Sequence, residues 1–265
     1  MSSQREDASM SRAVRCAVLA ALACVPAVGQ AIGPPTVELA LSSERVSGGR
    51  ADWRGAEAIA LWRDPAAWSA TAALRRTERF GLGDTQVEAG ASVPLDAHWR
   101  AETELAQSET ARVVPHWRWR GRMWLLDAAG WNLAAGAGRT LYRSVGATSG
   151  SSVAEFQVER YVGAFRAAWL GSVTRLDAGG TSAAQQWRLN WYPTDTGSLG
   201  VVLAFGRELE NVPGLGVVAS RVRAGAITAA WQLAPRWQMN VAVSDHRQGD
   251  LYRRTGLRLG LRHPF

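Results

Sequence analysis

Polar and apolar residues alternate one by one through most of this chain, and the 3.6-residue period of an amphipathic helix is almost absent. In WRAETEL (99–105), the side chains of Trp99 and Leu105 fall on one side of an extended chain, and those of Arg100 fall on the other. The same alternation occurs in TQVEAGASV (85–93), QWRLNW (186–191) and WQMNVAVS (237–244). Successive side chains of a strand point to opposite faces, so each segment predicts a strand with one apolar and one polar face.

Turn-forming residues separate these segments, and the separations are of two kinds. Short ones, rich in Pro, Asp or Gly, fall at 64–65, 94–96, 127–130, 162–163, 192–197 and 235–236. Longer polar ones fall at 81–84, 107–115, 144–151, 177–181, 209–216 and 247–250. Such alternation is typical of membrane barrels. The sequence therefore predicts an all-β fold, a closed antiparallel up-and-down transmembrane barrel of fourteen strands from about Thr36 to Phe265, with twelve strands as the alternative.

Charge decides which face of each predicted strand points inward. An arginine on the lipid face near the bilayer midplane costs about 2–4 kcal/mol. In HWRWRGRMW (116–124), three arginines alternate with tryptophan, glycine and methionine, so we expect the arginines to face the lumen. The same reasoning predicts a charged lumen wall made of Arg75, Glu88, Arg100, Glu102, Glu104, Arg118, Arg120, Arg122, Glu155, Glu159, Arg166, Arg188 and Arg258.

The thirteen tryptophans favour the short turns. Those beside short turns are Trp62, Trp68, Trp99, Trp124, Trp131, Trp191, Trp231 and Trp237. Tryptophan settles where lipid tails meet water, so this clustering places the short turns along one membrane interface. Trp124 conflicts with the pattern, because a regular strand would turn it inward with Arg118; a bulge near Gly121 would restore it to the lipid face.

The first 31 residues have the layout of a cleaved secretory signal, which leaves residues 32–265 as the barrel domain. A polar start ending in Arg15 precedes an apolar run and then small residues near Gly29 and Ala31. Lipidation at Cys24 is the alternative. Both cysteines, Cys16 and Cys24, lie in this segment, so the mature chain has no thiol.

Composition argues against several kinds of site. The net charge is +7, but arginine and acidic residues are interleaved, so we expect no nucleic-acid partner. Four scattered histidines predict no metal site, and no cofactor is expected. Ser244 and His246 could share one face as nucleophile and base, yet their register turns them into the lumen, away from lipid. We therefore expect no enzymatic activity.

The last strand carries a targeting feature. In GLRLGLRHPF, Leu257, Leu259, Leu261 and Phe265 share the apolar face, and the chain stops on phenylalanine. This ending resembles the signal by which bacterial outer-membrane barrels are recognised for assembly. The resemblance implies two partners, namely the barrel-assembly machinery through the C-terminal strand and outer-membrane lipid.

Several longer phrases resemble the YaiO family of outer-membrane β-barrel proteins. They are DWRGAEAIALW (52–62), ERFGLGDTQVEAG (78–90), VERYVGAFR (158–166), FGRELENV (205–212) and RQGDLYRRTGLRLGL (247–261). The resemblance covers the mature chain and implies a location in the outer membrane of a Gram-negative cell. It also implies a link to envelope polysaccharide-export components, and it implies no catalytic residues.

Three functions stay open, in this order. The first is passive passage of anionic solutes or glycans through a cation-biased lumen. The second is a structural or partner-docking barrel whose long charged side chains pair and fill the interior. The third is a lipid-modifying enzyme.

Overall fold

A computed structural model of the protein describes residues 35–64, 68–144, 147–212 and 216–265. The predicted signal segment, including Cys24, lies outside these residues. The described chain forms fourteen strands and no helix: β1 (Thr36–Val46), β2 (Trp53–Arg63), β3 (Ser69–Arg79), β4 (Leu82–Pro94), β5 (Trp99–Ser108), β6 (Trp117–Ala128), β7 (Trp131–Ser144), β8 (Ala147–Val162), β9 (Phe165–Leu176), β10 (Thr181–Thr194), β11 (Gly197–Val212), β12 (Gly216–Ala234), β13 (Trp237–Gln248) and β14 (Tyr252–Pro264).

The strands form one closed barrel in which each pairs antiparallel with its sequence neighbours and β1 pairs with β14. At the closure, Leu39 lies opposite Leu261 and Glu38 opposite Arg262, so apolar and charged faces match across the seam. Closure leaves no unpaired strand edge. The predicted fourteen-strand barrel, beginning at Thr36, is confirmed.

The barrel has two distinct ends. The terminus end carries both ends of the described chain, where Phe265 N–H donates to Pro35 O at 3.0 Å, and six short turns. The other end, here called the distal end, carries the β1–β2 connection, the eight-residue β5–β6 loop and five further connections. The two ends match the two predicted classes of connection in position but not always in length.

Three predicted long connections were wrong. The segment 81–84 belongs to a two-residue turn at Phe80–Gly81 followed by β4. Most of 144–151 is the start of β8, and β11 continues through Val212 into the predicted loop at 209–216. These segments were predicted as loops from their serine and glycine content. They form strands because β7 and β12 supply backbone hydrogen-bonding partners along them.

The outward face of the barrel is an apolar band. Exposed side chains on it include Leu39, Leu41, Leu74, Leu189, Leu203, Ile227, Val243, Leu257, Leu259 and Leu261. On β14, His263 and Arg253 bound the apolar stretch and lie ten residues apart. Ten residues at about 3.3 Å each, on a strand tilted by about 40°, cover about 25 Å, the height of the apolar band of membrane barrels. Among the described residues, no helix has the length and apolar character that a membrane crossing requires.

Tryptophans ring the outward face near the terminus end. Trp99, Trp131, Trp191, Trp231 and Trp237 are each between 38% and 43% exposed there. The proposed restoration of Trp124 by a bulge near Gly121 was wrong. Pairing between β5 and β6 is regular from Trp117 through Leu125, and it turns Trp124 inward, where only 7% of its surface is exposed. Packing inside the barrel accounts for this residue, with the Arg122 guanidinium 5.9 Å from its ring centre.

Candidate functional site: the barrel lumen

Strand register places twelve of the fifteen described ion pairs on the inward face. All thirteen residues of the predicted lumen wall lie on that face. Together with eight further acidic or basic side chains, the inward face carries twelve arginines and nine carboxylates among the side chains that the structure describes. The arginines are Arg63, Arg75, Arg79, Arg100, Arg118, Arg120, Arg122, Arg166, Arg188, Arg254, Arg258 and Arg262; the carboxylates are Glu38, Glu44, Glu57, Asp84, Glu88, Glu102, Glu104, Glu155 and Glu159.

Eight of these charges form a continuous chain of ion pairs along one side of the lumen. Glu38 on β1 accepts from Arg258 at 2.7 Å and from Arg262 at 2.8 Å on β14. Arg258 and Arg75 each lie 3.5 Å from Glu57. Arg75 also lies 3.2 Å from Glu88, and Arg118 lies 3.3 Å from Glu88 and 2.6 Å from Glu104. Opposite charges therefore alternate along the wall from β14 to β6.

Small residues allow these pairs to reach over an intervening strand. Ala106 on β5 lies directly opposite both Glu88 and Arg118, which contact each other across it. Gly136 on β7 lies in the same way between Arg122 and Glu155. A Cβ at Gly136 would lie 2.8 Å from the Gly121 carbonyl oxygen and 3.4 Å from Arg122 Cγ, so a larger residue must shift the β6 backbone and crowds the arginine.

Glu155 and Glu159 on β8 form a second group. Glu155, whose side chain is 6% exposed, lies 3.2 Å from Arg122 Nη2 and 3.6 Å from Arg120 Nη1. Glu159 accepts from both Nε and Nη2 of Arg166, with Nε at 3.1 Å. Burying a carboxylate is costly unless it is paired, and these contacts supply the pairing.

Two predicted wall residues differ from the rest. Arg100 and Arg188 are exposed on the inward face, and no described carboxylate lies within salt-bridge distance of either. Around Arg188 the wall is small or neutral, including Val202 and Ala204 on β11 and Ala226 on β12. The lumen therefore has one side lined by ion pairs and one side, on β10–β12, lined by small or neutral residues and the guanidinium of Arg188.

Inward residues at the two rims differ in solvent exposure. At the terminus end, the inward residues Tyr161 and Tyr192 are 54% and 37% exposed. At the distal end, the inward residues Asp84, Gln248 and Val222 are each 2% exposed. A polar cavity of about 290 Å³ lies against β3–β6, lined by Arg75, Glu88, Glu102, Arg120 and Arg122. The inward side chains at the distal rim are therefore more tightly packed than the two tyrosines at the terminus end.

Asp84 holds the β5–β6 loop inside the distal mouth. Its Oδ1 accepts from the Thr110 hydroxyl at 2.5 Å, and its Oδ2 accepts from the backbone N–H groups of Val113 and Val114 at 2.6 and 3.0 Å. Ala111 N–H also donates to the Ser108 hydroxyl, at 3.3 Å. The side chains of Val113 and Val114 are buried, so the loop packs into the barrel and does not extend into solvent.

An aromatic cluster lies on the other side of the distal mouth. Trp53 points inward and meets Phe80 and Tyr252 edge-on, with ring centres 5.2 and 5.5 Å away. The guanidinium groups of Arg79 and Arg254 each lie 4.5 Å from the Trp53 ring centre. Contacts between a cation and an aromatic face strengthen where water is excluded, and Trp53 is 3% exposed.

Ser244 and His246 both point into the lumen, and the structure does not join them. His246 Nε2 lies 2.7 Å from Gln248 Oε1, and Gln248 Nε2 in turn donates to the Ser220 hydroxyl. The described part of the chain contains no group of three or more His, Asp or Glu side chains arranged to hold a metal ion.

Two carboxylates in connections between strands have pKa values below the ordinary range. Hydrogen bonds from Arg139, at 2.6 Å for the Nη1–Oδ1 pair, lower the pKa of Asp177 in the β9–β10 connection. In the β4–β5 turn, backbone N–H groups of His98 and Trp99 donate to Asp96 at 2.7 and 2.8 Å and lower its pKa. Both groups therefore stay ionised to lower pH and stabilise their turns.

Sequence reasoning missed Glu38, Glu57, Arg262 and Asp84. The alternation in TVELALSSE, which sets Glu38 and Glu44 against Leu39 and Leu41, would have found the first of these. The pairing of Asp84 with a loop 26 to 30 residues away has no local signal.

Comparisons with known proteins identify the fold. No protein-family model matches the chain, and no curated protein sequence matches it, so the resemblance to the YaiO family stays a prediction. Among solved structures, the chain is similar to the CymD monoaromatic hydrocarbon channel, with a TM-score of 0.61, 6% identity, and coverage of 88% of this chain and 89% of that one.

Two further structures share the fold. OccK3 of Pseudomonas aeruginosa matches with a TM-score of 0.50 at 8% identity, covering 88% of this chain and 95% of that one. OmpT of Vibrio cholerae, expressed in the outer membrane, matches with a TM-score of 0.50 at 8% identity, covering 87% and 97%. At such low identity, these likenesses establish a shared barrel architecture.

Proposed function

We propose that this protein is an outer-membrane channel for the passive passage of small anionic solutes. The apolar band of about 25 Å and the tryptophan ring support the membrane location. In this location the terminus end, with its short turns, faces the periplasm, and the distal end faces the cell surface.

The observation that carries the anion preference is the excess of arginine on the inward face. Among the side chains that the structure describes, twelve arginines oppose nine carboxylates there, and Arg100 and Arg188 have no described carboxylate within salt-bridge distance. A wall with surplus fixed cations attracts anions and repels cations. The ion pairs define the shape of the lumen, whereas the guanidinium groups of Arg100 and Arg188 make the charge of its wall positive.

Ion selectivity tests the proposal. In planar bilayers under a KCl gradient, the refolded mature chain gives a reversal potential on the chloride side. Arg188→Glu moves that potential toward the potassium side, because it replaces a free lumen cation with an anion. Arg175→Glu makes the same charge change on the outward face of the neighbouring strand β9 and leaves the potential unchanged. Cation preference in the unaltered channel, or equal shifts in both variants, would contradict an anion path lined by Arg188.

A structural or partner-docking barrel is the second candidate, and the packing of the distal mouth favours it. The buried loop held by Asp84 and the cluster around Trp53 both narrow the path to the cell surface. A folded barrel that gives no conductance at any applied voltage would favour docking over passage.

Membership of the YaiO family and a role beside envelope polysaccharide-export components are part of the same proposal. The quoted sequence phrases support them. Uptake of acidic oligosaccharides by proteoliposomes tests the transport part: entry faster than that of neutral oligosaccharides of equal length is expected, and equal entry would contradict it.

A further inference from the structure

Five arginines lie close together on the outward face at the distal end. Arg207 on β11, Arg221 and Arg223 on β12, Arg247 on β13 and Arg253 on β14 are all exposed there. We call them the arginine patch. They occupy the face that elsewhere on these strands is apolar, so their presence there needs a physical reason.

The strand register sets these cations against one another. Arg207 lies directly opposite Arg221, and Arg247 lies directly opposite both Arg223 and Arg253. Like charges directly opposite in a sheet destabilise it. An anion lying between the guanidinium groups would reverse the sign of this contribution.

Acidic neighbours neutralise only part of the arginine patch. Arg253 Nε donates to Asp245 at 2.8 Å, and Arg247 lies 3.6 Å from Asp250. No carboxylate among the side chains that the structure describes lies within salt-bridge distance of Arg207, Arg221 or Arg223. Among the described side chains, the patch thus keeps a surplus of three positive charges on β11 and β12.

These three arginines line an open groove of about 550 Å³. Phe205 and Gly206 contribute to its walls, together with Thr181 and Ala183 on β10. Gly206 has a φ of +148°, and a Cβ there would lie 2.4 Å from the Ala183 carbonyl oxygen, so a side chain could not fill the groove at this point. The space exceeds that of a single phosphate and admits part of a sugar headgroup.

The arginine patch lies at the edge of the apolar band. Arg223, Arg247 and Arg253 are each ten residues along their strands from Leu233, Trp237 and His263 near the terminus end. That separation is about 25 Å along the barrel axis, so the patch lies at the headgroup level of the leaflet opposite the termini. An outward arginine costs about 0–1 kcal/mol there, against about 2–4 kcal/mol at the midplane.

Apolar side chains continue directly from the arginine patch into the band. Leu203, Ile227 and Val243 are 43%, 65% and 56% exposed on the same three strands. A molecule that fits both surfaces has phosphate groups on a sugar headgroup and several acyl chains below them. Guanidinium groups recognise phosphate through paired charge-assisted hydrogen bonds.

We propose that the arginine patch binds the phosphate groups of a phosphorylated, multiply acylated glycolipid of the outer leaflet, the lipid A part of lipopolysaccharide. The inference rests on the outer-membrane location proposed above, and it is independent of whether the lumen conducts. The groove at Arg207, Arg221 and Arg223 receives one phosphate with its sugar, and the acyl chains lie on β11–β13.

Native mass spectrometry of the refolded mature chain in a neutral detergent tests this binding. Bis-phosphorylated lipid A is titrated against the unaltered protein and against the triple variant R207Q/R221Q/R223Q. We expect the triple variant to lose affinity at least tenfold. The matched control is R45Q/R54Q/R76Q, which removes three exposed outward arginines near the same end on β1–β3. There Glu78 lies opposite Arg54. The lipid A affinity of this control should stay within twofold of that of the unaltered protein.

Three further ligands separate the sources of the phosphate. Lipid A stripped of phosphate should bind at least tenfold more weakly, and phosphatidylglycerol and inorganic phosphate should each bind more weakly than lipid A. Undetectable lipid A binding, equal losses in the two triple variants, or equal affinity for phosphatidylglycerol would each overturn the proposal. If the barrel binds lipid A but gives no conductance, only the proposal of a channel is overturned. Circular dichroism and heat-dependent gel mobility verify that each variant is folded.

Discussion

Removing the Asp84 carboxylate should open the distal mouth. Asp84→Ala deletes three hydrogen bonds to the β5–β6 loop, with distances of 2.5, 2.6 and 3.0 Å, and leaves the N–H groups of Val113 and Val114 without their acceptor. A hydrogen bond to a charged group contributes about 1.5–3 kcal/mol. Because the three share one acceptor group and are not additive, we expect a loss of about 4 kcal/mol in the stability of the closed loop.

A loss of that size shifts the equilibrium between closed and open loop strongly. At about 1.4 kcal/mol per factor of ten, about 4 kcal/mol raises the ratio of open to closed loop roughly a thousandfold. The remaining contacts include the burial of Ala111, Val113 and Val114, the Ser108–Ala111 hydrogen bond, and the hydrogen bonds that join His116 to Ser108 and Leu141. The loop should therefore spend a substantial fraction of its time outside the lumen.

Two assays report this opening. Trypsin should cut after Arg112, which is exposed but lies in the held loop, much faster in D84A than in the unaltered protein, since cleavage follows the population of the open form. Mean bilayer conductance should rise in the same variant. Asp84→Asn keeps one oxygen for the backbone N–H groups and gains a donor toward the Thr110 hydroxyl, so it should resemble the unaltered protein.

Glu78→Ala supplies the matched control, because it removes one exposed carboxylate at the same end of the barrel but on the outward face. It should change neither readout. The reasoning fails if D84A leaves both cleavage and conductance unchanged, or if D84N opens the loop as far as D84A does.

Other parts of the fold yield three further predictions. Trp53→Ala should lower the free energy of unfolding in urea by about 3–5 kcal/mol, the usual cost of removing a buried large aromatic, and a loss below 1 kcal/mol would contradict the packing of the distal cluster. Gly136→Val should push Arg122 off its carboxylate partner on β8 and lower stability, whereas Gly136→Ala should do so less, as measured by the same unfolding. The pKa of Asp177 is lowered in the folded protein, so its ion pair stabilises the distal turn fully above the ordinary pKa of the carboxyl, and this stabilisation is lost as the pH falls through the lowered pKa. In Arg139→Gln, carboxyl NMR should show the Asp177 pKa rising toward its ordinary value, and no change would contradict the pairing.

The alternation of polar and apolar side chains was enough to predict the barrel, because alternating strands can cross a membrane only as a closed barrel. It also placed residues such as Arg118 and Glu155 on the inward face, since facing depends only on position along a strand. Which carboxylate each arginine contacts depends on the stagger between strands, and no local pattern encodes that. The Arg122–Glu155 contact across Gly136 is therefore visible only in the structure.

Connections at the distal end were the least predictable part. TSGSSVA (148–154) has the composition of a loop, yet it extends β8, because β7 supplies partners as far as Ser144. The β5–β6 loop was expected as an ordinary polar connection, and its inward fold depends on Asp84, a residue on another hairpin. Contacts between distant segments decide both cases, and local propensity does not report them.

Labelling of single cysteines tests most directly the claim that a polar face lines a water-filled lumen and an apolar face meets lipid. The mature chain has no cysteine of its own if the predicted signal is removed. Arg188→Cys and Ser244→Cys lie on the inward face, and their neighbours Leu189→Cys and Val243→Cys lie on the outward face. In proteoliposomes, a charged water-soluble thiol reagent should modify the two inward cysteines and spare the two outward ones until detergent is added. Equal labelling of neighbouring positions, or labelling of the outward pair alone, would contradict the account.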